Sequence, residues 1–110
     1  MASCSRCREP AVLEQRYAGV ALCRDHFLRS FAERAKHEVA KQGRLPEGLT
    51  AVALSGGKDS VSALHFLREM TRGNPKVRLA AITVDEGIAG YRSSALDICR
   101  RVTDEWDIPW

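Results

Sequence analysis

The sequence predicts an α/β protein in which a small cysteine-rich module precedes the start of a parallel sheet. From Leu49 onward, short apolar runs alternate with stretches whose apolar residues recur at helical spacing. Before that point, three of the four cysteines lie close to the N-terminus. Strands that alternate with helices form parallel sheets joined by right-handed crossovers. We therefore expect the first two strand-helix units of a doubly wound sheet.

The composition limits the class of protein. The chain has 110 residues, of which 45% are hydrophobic and 28% charged, enough for one modest core. No apolar run approaches the roughly 18 residues of a membrane helix, and the N-terminus MASCSRCREP lacks the apolar core of a secretory signal. We expect a cytoplasmic protein with no membrane partner. In that reducing compartment, cysteines bind metals more often than they form disulfides.

Three segments are predicted along the chain. Residues 1–26 form the cysteine-rich module, residues 27–48 an amphipathic helix with a linker, and residues 49–110 the α/β domain. The helix is predicted over residues 24–42 because apolar residues recur every four positions. These residues are Phe27, Phe31, Ala35 and Val39. The linker QGRLPEG follows, where Pro46 prevents the helix from continuing.

The helical segment carries the basic charge of the chain. Residues 24–44 have six basic and three acidic side chains, a surplus that equals the net charge of +3 of the whole chain. The basic residues are Arg24, Arg29, Arg34, Lys36, Lys41 and Arg44. Such a helix can track phosphate groups of a nucleic acid, or it can be an ordinary solvated face. Charge alone leaves both interpretations open.

Within the α/β domain, the first strand is predicted over residues 50–54 and the second over residues 77–84. The helix between them is expected to be capped by Asp59 or Ser60 and to run to about Arg72. The second strand is nearly all apolar, which suits burial on both faces. A second helix follows the residues EGIAG, with one apolar face made of Ala95, Ile98, Cys99, Val102 and Trp106.

The cysteine spacing predicts a structural zinc site. Cys4 and Cys7 form one pair, and fifteen residues later Cys23 and His26 form another with the same two-residue gap. Two such pairs supply four ligands, which closes a tetrahedral site. The alternatives are a redox-active Cys4/Cys7 pair or unrelated thiols, but a redox pair usually follows a strand and begins a helix, and that context is missing here. His37 is a weaker ligand candidate, and we expect Cys99 to be a buried core thiol.

The stretch AVALSGGKDS predicts an anion site where the first strand meets the first helix of the domain. Backbone N–H groups at a helix N-terminus favour negative charge, and glycines allow close approach. Lys58 adds a cation, while Ser55 and Ser60 add hydroxyl groups. A tight turn without a ligand is the alternative. The spacing departs from the Walker P-loop, since Val52 and Asp59 occupy the positions where that motif needs Gly and Ser/Thr.

The six residues Ser55-Gly56-Gly57-Lys58-Asp59-Ser60 resemble the PP-loop of the N-type ATP pyrophosphatases, whose fold is of the adenine nucleotide alpha hydrolase type. That family holds the pyrophosphate of ATP and cleaves between the α and β phosphates. The resemblance implies ATP and Mg²⁺ binding, with Lys58 and Asp59 as catalytic residues. The nucleotide-binding residues that we expect are Leu54, Ser55, Gly56, Gly57, Lys58, Asp59, Ser60, Val84 and Asp85.

Val84 and Asp85 are included because they end the second strand. In an open α/β sheet, the ligand lies beyond the carboxyl ends of the strands. Val84 offers backbone groups and an apolar edge for adenine, and Asp85 a carboxylate for Mg²⁺ or ribose. A solvated turn at Asp85 and Glu86 is the alternative.

The segment VDEGIAGYR, together with the cysteine module and the basic helix, resembles the TtuA-type tRNA 2-thiouridine synthases over nearly all of the chain. This resemblance implies a tRNA sulfurtransferase that adenylates the C2 oxygen of a uridine and then replaces it with sulfur. Gly87, Gly90, Tyr91 and Arg92 would form a loop over the site. The implied partners are tRNA, ATP and a ubiquitin-like sulfur carrier, with a homodimer as a candidate assembly.

The chain departs from that family in length. Family members are longer, and the cysteines that hold their iron–sulfur cluster follow a third strand, so we expect the cluster only downstream of this sequence. We expect these 110 residues alone to be inactive in thiolation. Two alternatives remain: another adenylating PP-loop enzyme of the 2-thiocytidine or lysidine synthase type, and a non-catalytic zinc module that binds RNA.

Overall fold

A computed structural model describes residues 2–87 and 93–110. The chain forms two compact units, one that ends at Arg44 and one that spans Leu45–Trp110. The basic helix belongs to the first unit. None of the helices in the described part has both the length and the apolar character needed to cross a membrane.

The first unit contains an antiparallel hairpin followed by a long helix. Strand β1 (Leu13–Gln15) pairs with β2 (Val20–Leu22), and one turn of 3₁₀ helix joins them. Helix α1 spans Arg24–Lys41, which confirms the predicted helix within one residue. The buried cluster is small: Cys4, Leu22 and Cys23 form it, with Cys7, Val20 and Phe27 packed against it. A unit with so few buried apolar groups depends on something besides its core for stability.

Helix α1 is mostly solvated. Phe27 packs against the small core, but Phe31, the next residue of the predicted apolar stripe, is 50% exposed. All six basic residues predicted for this segment are exposed, as the burial pattern of residues 24–44 shows. Near the C-terminal end, the backbone N–H of Gln42 donates to the carbonyl of Glu38.

The second unit has the predicted order of strand, helix, strand and helix. Its elements are β3 (Gly48–Ala53), α2 (Lys58–Thr71), β4 (Val77–Ile82) and α3 (Ser93–Glu105). Strands β3 and β4 are parallel, with Val52 opposite Ala81. This pairing confirms the α/β class and the parallel sheet.

One hydrophobic cluster holds the second unit together. The strands contribute Val52 and Ala81, and the helices contribute Leu64 from α2 and Cys99 from α3. Cys99 is fully buried, which confirms its prediction as a core thiol. On β4, Ile82 is 55% exposed, so the expected burial on both faces of the strand is not found among the described residues of this unit.

The last residues of the chain lie beside β4. The backbone N–H of Ala81 donates to the carbonyl of Pro109 at 2.8 Å, and Ile108 is buried in the cluster. The indole N–H of Trp110 donates to the hydroxyl of Thr83 at 2.8 Å. Ile108, Pro109 and Trp110 are thus held against β4 and the residue that follows it.

Candidate functional site

The four residues of the predicted zinc site come together in the first unit. Cys4 and Cys7 lie before β1, Cys23 is the N-cap residue of α1, and His26 lies in the first turn of that helix. Their ligand atoms all lie within 4.8 Å of one another. His37 is not part of this group.

The distances between these atoms lie near those between the ligands of a tetrahedral metal ion. Sγ of Cys4 lies 3.6 Å from Nδ1 of His26, Sγ of Cys23 lies 3.2 Å from the same nitrogen, and the sulfurs of Cys7 and Cys23 are 3.7 Å apart. A zinc ion bonded at about 2.3 Å to sulfur and about 2.0 Å to nitrogen separates its ligands by roughly 3.5 to 3.8 Å. The cluster is therefore a metal-binding Cys/His group.

The fold favours a thiolate at one of these cysteines. Burial raises the pKa of Cys4, but hydrogen bonds from the backbone at Cys23, Arg6 and Cys7 outweigh it and lower this pKa to about 6. At Cys7, the backbone hydrogen bond at Glu9 lowers the pKa, but burial and the neighbouring Cys4 and Cys23 raise it above its ordinary value. Zinc ligation requires thiolates, so metal binding would deprotonate the remaining thiols.

The SGGKDS loop joins the carboxyl end of β3 to the start of α2. Hydrogen bonds of two serine hydroxyl groups close the loop. The Ser60 hydroxyl accepts from the backbone N–H of Ser55 at 3.1 Å and donates to the carbonyl of Gly57 at 3.1 Å. The Ser55 hydroxyl lies 3.0 Å from that of Ser60 and accepts from the Gly57 N–H at 3.3 Å.

The start of α2 differs from the prediction. The helix begins at Lys58 with Gly57 as its N-cap residue, so the expected capping by Asp59 or Ser60 is wrong. Glycine has no side chain with which to cap the first-turn N–H groups, and these groups have no carbonyl partner within the helix. The serine hydroxyls instead hold the loop in shape. The helix start thus retains backbone donors and a positive partial charge for an anion.

Gly56 has a structural reason to be glycine. Its φ is +92°, a conformation that side chains disfavour. A Cβ atom at this position would lie 2.6 Å from the carbonyl oxygen of Ala95, in α3. Gly57 has an ordinary φ of −77°, and a Cβ there would meet only the Ser55 hydroxyl, at 3.5 Å. The two glycines therefore have different roles.

A pocket of about 400 Å³ borders this loop. Its lining comes from the loop and from the ends of both strands: Ala53, Leu54, Ser55, Ser60, Ile82 and Val84. Val84 is 68% exposed, so its side chain offers an apolar surface at the carboxyl edge of the sheet. This position matches the crevice in which open α/β sheets bind ligands.

The charged residues expected at this site lie at the start of α2 and in the turn after β4. Nζ of Lys58 is 2.9 Å from Oδ1 of Asp59, and both side chains are about nine-tenths exposed (90% and 93%). Asp85 accepts a hydrogen bond from the Gly87 backbone N–H at 2.9 Å, which orders the turn after β4. Gly90, Tyr91 and Arg92, the rest of the predicted covering loop, lie outside the described residues.

Thr83 lies at this site but is not among the predicted site residues. It follows β4, and its hydroxyl donates to the carbonyl of Leu54 at 2.6 Å. A polar residue in the predicted apolar strand 77–84 is the one signal that could have identified it.

Comparison with known families agrees with both parts of the chain. Residues 3–28 match the N-terminal LIM domain of the 2-thiouridine synthetase TtuA. Residues 28–110 match the PP-loop domain, which covers most of the chain. The chain belongs to the PP-loop family. These matches confirm the resemblance of the SGGKDS loop to a PP-loop and of the whole chain to TtuA-type proteins.

Similar proteins are known in archaea and animals. The chain is 35% identical over 112 residues to the tRNA 2-thiolation protein NcsA of Haloferax volcanii. This match covers 96% of this chain and 35% of that protein. It is also 40% identical over 111 residues to cytoplasmic tRNA 2-thiolation protein 1 of Bos taurus. That match covers 98% of this chain and 30% of the Bos taurus protein. The chain thus spans about a third of the length of these relatives.

A solved structure has the same fold. The U34-tRNA thiolase NcsA from Methanococcus maripaludis, described with its [4Fe-4S] cluster, matches with a TM-score of 0.88 and 28% identity. The match covers 99% of this chain and 37% of that one.

The two loop glycines should respond differently to alanine. We expect Gly56→Ala to lower the thermal unfolding temperature of the second unit, because the new Cβ would collide with the Ala95 backbone and favour a different φ. Gly57→Ala should leave the unfolding temperature nearly unchanged. Calorimetry of both variants checks this, and equal destabilisation by the two changes would contradict the packing of Gly56 against α3.

Proposed function

We propose that this chain supplies the nucleotide site and the zinc module of an ATP-dependent tRNA uridine 2-thiolation enzyme. The SGGKDS loop carries the proposal. It contains uncapped helix N–H groups and Lys58, and its serines Ser55 and Ser60 line a pocket with an apolar wall at Val84. That combination suits a nucleotide whose phosphates meet the loop and whose base meets the wall.

In this proposal, each predicted site residue has a part in binding ATP. The loop residues Ser55 to Ser60 hold the β and γ phosphates, and the exposed ammonium of Lys58, which contacts Asp59 in the structure, neutralises their charge. Asp59 and Asp85 offer carboxylates for Mg²⁺, the cation that usually accompanies ATP phosphates. Leu54 and Val84 border the nucleoside.

The chemistry that the family resemblance implies has two steps. The C2 oxygen of a uridine attacks the α-phosphorus of ATP, an O–P bond forms, and pyrophosphate leaves with the electrons of the broken bond. Sulfur then attacks C2, and the C–O bond breaks to release AMP. Positioning and charge neutralisation are what the residues of this chain contribute. The sulfur would come from a ubiquitin-like carrier, whose bond to sulfur is broken by water in the transfer.

The charge distribution supports tRNA as the substrate. Residues 1–44 contain nine Lys and Arg against five Asp and Glu, whereas residues 45–110 contain eight against nine. The positive charge therefore resides in the first unit. In the same unit, Tyr17 is 76% exposed and its hydroxyl accepts from Arg34 at 2.8 Å. Exposed aromatic rings beside guanidinium groups are common in RNA-binding surfaces.

The metal in the first unit is proposed to be zinc with a structural role. Four protein ligands leave no open coordination position for a substrate. The iron–sulfur cluster of the Methanococcus maripaludis thiolase has no matching thiol set here, because Cys99 is the one cysteine outside the metal-binding group and is fully buried. A cytoplasmic location and a homodimer follow from the family resemblance alone.

Lys58 is the first test of the catalytic proposal. In cells that lack the enzyme, complementation by a full-length protein that carries Lys58→Ala should give roughly 100-fold less 2-thiouridine in tRNA than the unmutated full-length protein, because the charge on the leaving pyrophosphate would be less stabilised. Lys76→Ala is a matched control, since Lys76 is also exposed and also lies near a carboxylate, Glu47 at 3.8 Å.

Mass spectrometry of the tRNA nucleosides provides the measurement. Full 2-thiouridine with Lys58→Ala would favour a non-catalytic zinc module. Loss of a different modified nucleoside from the deletion strain would favour another adenylating PP-loop enzyme.

The metal centre has an internal control in α1. We expect wild type to bind about one zinc ion per chain, His26→Ala to lose most of it, and His37→Ala to keep it. Both changes remove an imidazole from the same helix, but the metal-binding group includes only His26. Elemental analysis of the purified variants checks this. Equal zinc contents in the two variants would refute the ligand set.

A further inference from the structure

We infer that Thr83 is a positioning residue for the phosphate-binding loop, acting through the peptide group that joins Leu54 to Ser55. The inference rests on the proposed binding of ATP by this site. It assigns a role to a residue that would not itself contact the nucleotide.

The hydrogen-bond directions at Thr83 are fixed by chemistry. Its hydroxyl lies 2.6 Å from the carbonyl oxygen of Leu54, which can only accept, and 2.8 Å from the indole nitrogen of Trp110, which can only donate. The hydroxyl proton therefore points to Leu54, and a lone pair faces Trp110. Cys99 lies 3.7 Å from the same hydroxyl oxygen and contributes at most a weak interaction.

The two ends of one peptide plane are held by two different hydroxyls. The carbonyl of Leu54 and the N–H of Ser55 belong to the same rigid unit. Thr83 binds its oxygen, and Ser60 accepts from its N–H at 3.1 Å. The side chain of Leu54 is also almost fully buried. The first peptide of the loop is thus fixed in direction at both of its ends, and the backbone of the loop continues from this fixed peptide.

Thr83 connects the two strands just beyond their last backbone hydrogen bond. The last backbone hydrogen bond between the strands runs from the N–H of Leu54 to the carbonyl of Ile82 at 2.8 Å. Beyond it, the Thr83 side chain makes the connection to the carbonyl of Leu54. Ile82 and Val84 line the pocket, whereas successive side chains of a strand alternate between faces. A change at Thr83 would therefore act through the loop without removing a pocket wall.

Substitutions that differ by a hydroxyl group test this inference. The 110-residue chain is titrated with magnesium pyrophosphate and followed by nuclear magnetic resonance. This measures the affinity of the loop for pyrophosphate, the part of ATP that the loop is proposed to bind. We expect Thr83→Val to weaken pyrophosphate binding about tenfold, because the lost hydrogen bond orients the loop and a tenfold change in affinity corresponds to the free energy of one such bond. Thr83→Ser should bind within about twofold of wild type, since serine keeps the hydroxyl.

Two controls separate loop positioning from general destabilisation. Thr50→Val makes the same change in β3, where the hydroxyl is buried without a partner among the described residues, so affinity should be unchanged. Thr83→Ala and Thr83→Ser both lose the methyl group and differ only in the hydroxyl, so this pair replaces the valine variant if that variant does not fold.

The outcomes distinguish the two levels of the proposal. Weak binding by Thr83→Val and Thr83→Ala with normal binding by Thr83→Ser supports the positioning role. Normal binding by every variant, or equally weak binding by Thr83→Ser and Thr83→Ala, overturns it while the proposed ATP site stands. Absence of pyrophosphate binding by wild type overturns the proposed ATP site and this inference with it.

Discussion

The close approach of Gly56 to the backbone of Ala95 is the contact on which the candidate nucleotide site depends. A Cβ at this position would lie 2.6 Å from a carbonyl oxygen of α3, so the loop can lie there only without a side chain. The position of α3 is set in turn by Cys99, Val102 and Trp106, which pack on the cluster around Leu64. The candidate nucleotide-binding loop thus rests on a packed core, which is the rigid support that a binding site needs.

The two units are stabilised in different ways. The second has a hydrophobic cluster to which two strands and two helices contribute. In the first, Cys4 and Cys23 are two of the three residues of the buried cluster, so the metal-binding group and the core are largely the same atoms. A metal ion there would contribute directly to folding, as it does in other small modules. The basic surface of α1 would then be held on a metal-supported scaffold.

The sequence predicted the elements well because their signals are local. Apolar spacing located α1 and the parallel strands, and the cysteine spacing located the metal-binding group. What the sequence did not predict is which group a particular hydroxyl contacts. Ser60 is of a residue type that commonly caps helices, but its hydroxyl closes the loop onto Ser55. Thr83 donates a hydrogen bond to a carbonyl 29 residues earlier. Periodicity carries no information about such contacts, and the roles of individual site residues remain predictions.

The most direct test of the central claim is the response of backbone amide resonances to pyrophosphate. If the loop holds the phosphates of ATP, the largest shifts in a ¹⁵N-labelled chain will be those of Gly56, Gly57 and Lys58, whose N–H groups surround the start of α2. The hairpin of the first unit should not respond. Shifts confined to the basic residues of α1, with none in the loop, would contradict a phosphate site at the end of β3.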